Sequence, residues 1–171
     1  MEIAPPSAGN HMSLALTSTA FASGGPIPDR HAKKEENVSP ALNWSGVPSD
    51  TVSLVLIVDD PDAPSGLFTH WIVYGIDPHT TGIAENQPRT GELRNGARQG
   101  ENDFEEMGYG GPQPPSGTHR YVFHLYALDT DSSLPAGLTR REINGVIEGH
   151  VIEEATIMGR YRAGGSTRAA G

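Results

Sequence analysis

Turns are written into this chain more densely than any other feature. Glycine (21) and proline (14) fill about one position in five, so no periodic pattern runs far before a residue that breaks it. That punctuation works against long helices and permits short strands joined by tight turns. It stays below the roughly 25–30% that marks low-complexity disorder. A chain of 171 residues fits one domain, which buries roughly 70% of its unfolded surface. There is no cysteine, which removes disulfides, thiolate metal sites and cysteine nucleophiles together.

Twenty-one acidic against twelve basic residues leave a net charge of −9. Without a surplus of positive charge, nucleic acid and polybasic membrane anchoring are excluded as functions. No apolar run is long enough for a membrane span, and no basic-then-apolar leader opens the sequence. The expectation is a cytoplasmic protein.

Residues 1–12 (MEIAPPSAGNHM) show no apolar period and read as a flexible leader, residues 163–171 as a flexible tail, and 13–162 as the domain. A short strand fits residues 13–17. The strongest strand spans 52–59 (VSLVLIVD), apolar on both parities except at Ser53, which predicts cover on both faces. Further strands fit 70–76 and 120–128. In the latter, Tyr121, Phe123, Leu125 and Ala127 share one face. Residues 77–118 form a glycine- and proline-rich stretch whose length points to a functional loop. Thr139-x-x-Glu142 is a capping-box pattern, and Ile143, Val146, Ile147, Val151, Ala155 and Met158 recur at helical spacing up to a stop at Gly159. A short helix followed by a longer one is expected, giving a mainly β domain with a C-terminal helical cover.

Polar groups gather in three islands at strand ends. In Asp59-Asp60-Pro61-Asp62-Ala63-Pro64, two prolines stiffen a turn that presents carboxylates. Asp62 reads best as a residue satisfying nearby backbone, while Asp60 fits either that role or a site. His70 opens a strand, and taken alone reads as a satisfied core histidine. The third island runs from Gly108 to Tyr121. Its glycines allow close approach of a ligand, with the amides of Gly110 and Gly111 free to face an anion, and His119 and Tyr121 lie on one strand face. His11, His31, His79 and His150 read as ordinary loop or seam residues, and Trp44 and Trp71 as apolar anchors.

Taken in order, these motifs resemble a known family. They are Ile27-Pro28, Ser39-Pro40-x-Leu42-x-Trp44-x-Gly46-Val47-Pro48, Asp60-Pro61-Asp62-Ala63-Pro64, His70-Trp71, Tyr109-Gly110-Gly111-Pro112-x-Pro114-Pro115-x-Gly117, His119-Arg120-Tyr121-x-Phe123 and Leu125-Tyr126-Ala127-Leu128. They resemble the phosphatidylethanolamine-binding protein family, in particular its compact bacterial and archaeal, kinase-inhibitor-like branch. The resemblance implies an antiparallel β-sandwich with short C-terminal helices and a small anion pocket at one end. Carried over by motif, Asp60, Ala63, His70, Gly111, Pro112, His119 and Tyr121 would form that pocket. Phospholipid head groups or phosphorylated ligands would be its occupants, and a kinase or protease a possible protein partner. A homodimer is common in that branch. Many of its members carry cysteine in the stretch matching Ala32–Lys34 and again at Gln113; their joint absence here implies that the two positions are neighbours. Glu35 stands where glycine is common in the branch, so the turn there is expected to differ.

A non-catalytic receptor needs converging donors on a rigid frame. Two histidines, a tyrosine hydroxyl and several prolines supply both. Asp60 repels an anion, but it makes sense as the partner that orients a histidine. The alternative is a metal-dependent or His/Asp-based hydrolase using the same pocket, with Asp60, His70 and His119 as candidate ligands. The chain lacks both a G-x-S-x-G and an H-E-x-x-H pattern. The expectation is therefore an anion-binding protein with no catalytic residue, no metal and no cofactor.

Overall fold

The computed structural model describes residues 13–165. The expected leader, residues 1–12, lies outside them, as do residues 166–171 of the expected tail. The order of elements is β1 (Ala15–Thr17), a 3-10 turn (Asp29–His31), β2 (Leu42–Ser45), β3 (Ser53–Asp60), β4 (Phe68–Ile76), β5 (Gly82–Ile83), β6 (Arg98–Gln99), β7 (Thr118–Leu128), α1 (Arg140–Ile147) and β8 (Val151–Arg162). They form two antiparallel sheets, β1-β2-β5 and β6-β4-β3-β7-β8.

β3 is buried at all eight positions, as its double-parity apolar run predicts. One parity, Leu54, Leu56 and Val58, faces the small sheet and packs with Leu16, Leu42, Trp44, Phe123 and Leu125. The other parity, Val55 and Ile57, joins Ile72 and Tyr74 under Ile143 and Ile147 of α1. The fold is thus a β-sandwich whose larger sheet is covered by the small sheet on one side and a helix on the other. Pairing of β3 with both β4 and β7 brings the ends of the three strands together. Among the described residues, no helix is long and apolar enough to cross a membrane.

The helix starts where the capping box places it, with Thr139 and Glu142 bonding reciprocally. It then ends far earlier than the helical spacing suggests. Glu148 caps it, Gly149 turns left-handed at φ 81°, and residues 151–162 continue as β8. The expected second helix is therefore a strand. Ala155, Ile157, Gly159 and Tyr161 are buried while Glu154, Thr156 and Arg160 are exposed, a period of two that pairs β8 along the whole of β7. At the start of the expected tail, the Ala163 amide donates to the Gly117 carbonyl at 2.8 Å.

Gly159, the expected helix stop, is instead a place of close approach inside β8. A β-carbon there would lie 2.5 Å from Ile27 and 2.9 Å from Phe21, both buried. Gly159→Ala should lower the unfolding free energy by about 1–3 kcal/mol through overpacking. Urea titration reads this directly, and unchanged stability would contradict the packing described.

Candidate functional site

β3 ends in two consecutive buried carboxylates, Asp59 and Asp60, each 3% exposed. Asp60 Oδ1 accepts the Asp62 amide at 2.8 Å, and Asp60 Oδ2 accepts Nδ1–H of His119 at 2.6 Å. An ionised carboxylate only accepts, so the ring proton of neutral His119 sits on Nδ1 and Nε2 keeps its lone pair. Asp60 thus holds the histidine in one tautomer. His70 is fixed in the same sense by a neutral group: its Nδ1 donates to the Gly110 carbonyl at 2.7 Å.

Tyr121, on the same face of β7 as His119, is 1% exposed, and its hydroxyl completes no hydrogen bond among the described residues, although the Asp60 carboxylate and the Gln113 backbone lie near enough to act on it. The His70 ring meets it edge-on, with centroids 5.1 Å apart. These groups face one cavity of about 240 Å³, lined by Asp60, Ala63, His70, His119 and Tyr121 with Pro64, Ser65, Phe68, Phe104, Gln113 and Pro115. Phe68 and Phe104 also pack on the His70 ring, at 5.0 and 5.3 Å. Near the Phe104 wall, the Lys33 ammonium lies 4.7 Å from the ring centroid.

Five of the seven expected residues therefore share the cavity; Gly111 and Pro112 do not line it. The Gly110 amide donates to the His70 carbonyl at 3.0 Å, and the Gly111 amide to Asn37 Oδ1 at 2.8 Å, so neither faces an anion. The backbone around Gly111 is instead pressed so tightly that a β-carbon would overlap the His31 carbonyl, 2.0 Å away. Pro112 lines a neighbouring cavity with Ala32, Lys34 and Gln113, and its carbonyl accepts the Lys33 amide at 2.9 Å. This makes the two stretches without cysteine neighbours, as expected. The left-handed residue of that turn is Asn37, at φ 57°, and not Glu35.

Asp62 lies outside the cavity, where it accepts three hydrogen bonds from the backbone and side chain of Arg120. Phe68 and Phe104 were not legible as site residues. The signal for Phe104 was an apolar side chain in an otherwise polar loop, which buried Asn102 organises by bonding Phe104, Glu106 and Gly108. His31 and His150 have structural partners, the Val38 carbonyl and Asp129. Among the described residues, no group of three or more His, Cys, Asp or Glu is arranged to hold a metal ion.

Comparison with known proteins matches residues 17–162 to the phosphatidylethanolamine-binding protein family. The chain belongs to that family. It is 50% identical over 151 residues to a UPF0098 protein of Methanothermobacter thermautotrophicus, covering 88% of this chain and all of that one. It is 42% identical to a UPF0098 protein of Aquifex aeolicus, covering 87% and 88%. The crystal structure of a phosphatidylethanolamine-binding protein homolog from Chlamydia trachomatis superposes with TM-score 0.80 at 41% identity, over 88% of this chain and 97% of that one. The crystal structure of Escherichia coli YbcL, described as a new member of the mammalian PEBP family, gives TM-score 0.82 at 31% identity, over 88% and 99%.

In this member of the family, burial sets the protonation of the site. Desolvation lowers the His70 pKa, against the Gly110 carbonyl and the Asp60 charge, which raise it. Desolvation, with the Asp60 charge behind it, raises that of Tyr121, so its hydroxyl stays a donor. The half-buried Asp62 carboxyl is held at about 2 by its hydrogen bonds to Arg120.

Two titrations follow from these environments. With His70 lowered by burial, the unfolded chain binds a proton that the folded chain refuses, so stability falls as pH drops below the unfolded value of about 6.5. The loss levels off once the pH passes the lower folded value. His31, also lowered by burial, adds in the same direction. Urea titrations from about pH 8 to pH 5 should show a shallower acid slope in His70→Gln than in the parent; an equal slope would remove His70 as a source. Separately, Arg120→Ala should return the Asp62 carboxyl towards its ordinary value of about 3.9, read by carboxyl-carbon NMR.

Proposed function

We propose that the cavity is a receptor for a small phosphate-bearing or otherwise anionic group, and that the protein binds without catalysing. The observation that carries this is the Tyr121 hydroxyl, buried on the cavity wall with no completed hydrogen bond among the described residues. A buried polar group left unpaired costs about 1–3 kcal/mol, and an anionic oxygen in the cavity would relieve that cost. The two imidazoles, each pinned at Nδ1, supply a fixed frame around the same space.

Ser65 lines the cavity but makes no hydrogen bond to either histidine among the described residues, so a base-activated hydroxyl has no support. The occupant would be a phospholipid head group or a phosphorylated ligand, and a kinase or protease would be the protein partner it modulates. At a net charge of −9, long-range repulsion should keep association with anionic vesicles weak, which sedimentation would show.

Calorimetry with inorganic phosphate tests the receptor. Tyr121→Phe removes only the hydroxyl and should weaken binding by about tenfold or more, with the fold unchanged by circular dichroism. Equal affinity in parent and variant would overturn the reading.

A further inference from the structure

The hydrogen-bonding sense of the cavity says more than its charge does. Of the groups that line it, Tyr121 is a donor held protonated by burial, while Asp60 is an acceptor committed to Asp62 and His119. His119 and His70 both keep an Nε2 lone pair, and His70 is the more buried of the two and the one whose partner is an uncharged carbonyl. Its Nδ1–H is spent on the Gly110 carbonyl, so a neutral ring presents only the Nε2 lone pair. Three rings crowd it, those of Phe68, Phe104 and Tyr121, at 5.0–5.3 Å. At 3% exposure, water cannot readily solvate a charge there.

We propose that the cavity selects oxyanions that still carry a proton, because the His70 Nε2 lone pair needs a ligand O–H to face it. The inference rests on the receptor reading and adds a rule of discrimination to it. Near neutral pH, hydrogen phosphate and sulfate have the same charge and nearly the same shape, and differ in one proton. Hydrogen phosphate donates its O–H to His70 while its remaining oxygens accept from Tyr121. Sulfate has no proton to give, so one of its oxygens would face the imidazole lone pair unless the ring first took a proton from solvent. A site built around a specific hydrogen bond rejects an analogue that lacks it, because the buried group is left unpaired.

The charged surroundings bear on how easily the ring takes that proton. Asp60 and Asp59 at the end of β3 favour it, while burial opposes it more strongly. Within the cavity, His119 is tied to Asp60, and Tyr161 of β8 lies opposite His119 in the strand register. Asp62 and Arg120 neutralise each other outside, and Lys33 is paired with Glu106 beside Phe104. In acid the ring becomes protonated, and Nε2 turns from acceptor to donor.

Calorimetry on the full chain with sodium phosphate and sodium sulfate at matched ionic strength tests this. At about pH 7.5, phosphate should bind at least tenfold more tightly than sulfate. His70→Gln, whose amide can turn an N–H towards the ligand, should narrow the gap at the same pH, with its fold checked by urea titration. Equal affinities near pH 7.5, or a gap unchanged in folded His70→Gln, would each overturn the selection rule and leave the anion receptor standing. Binding of neither anion to the parent protein at millimolar concentration would overturn both.

Discussion

Two adjacent carboxylates buried at the end of a strand covered on both faces impose the strongest constraint in this molecule. β3 carries Asp59 to one side of the large sheet and Asp60 to the other, and neither can be left unpaired in so dry a position without a cost of several kcal/mol. Asp59 accepts from Thr69 Oγ1 at 3.0 Å and from Arg140 at the start of α1, and lies 3.6 Å from His124 Nε2. Asp60 accepts from the Asp62 amide and from His119. One carboxylate therefore ties the helix to the sheet, and the other sets the tautomer of a cavity histidine. The cover and the candidate site are two consequences of a single strand end.

That arrangement separates rigidity from chemistry. The Asp62–Arg120 pair holds the turn after β3 against β7 from outside. Asp103 accepts the Thr69 amide at 2.7 Å and anchors the loop that carries Phe104 to the start of β4. These tethers use groups that do not line the cavity, so Nε2 of each histidine and the Tyr121 hydroxyl are not spent on holding the frame. Preorganisation of this kind reduces the ordering cost of binding, which the proposed receptor role would use.

Several features could be read from the chain because they depend on short-range periodicity. The doubly apolar run of β3, the alternation in β7 and the capping box of α1 each repeat the backbone's own geometry over a few residues. The islands around Asp60, His70 and His119 were visible as polar clusters at strand ends. β8 was misread because Ile147, Val151, Ala155 and Met158 fit a three-to-four spacing, while Ala155, Ile157, Gly159 and Tyr161 fit a spacing of two equally well. Over so few residues the two periods overlap, and pairing with β7 is what chooses between them.

The amino-acid order by itself determined the central strand, the start of the helix, the absence of thiol chemistry and the identity of the polar groups available to a site. Tertiary structure alone decided which of those groups remain available. The Gly111 amide is taken by Asn37, 74 residues away, and the Gly110 amide by the His70 carbonyl, whereas the Tyr121 hydroxyl completes no hydrogen bond among the described residues. The reason is physical: periodicity is a property of neighbouring residues, but the partner of a buried donor is set by whichever distant segment the packed fold brings within 3 Å of it.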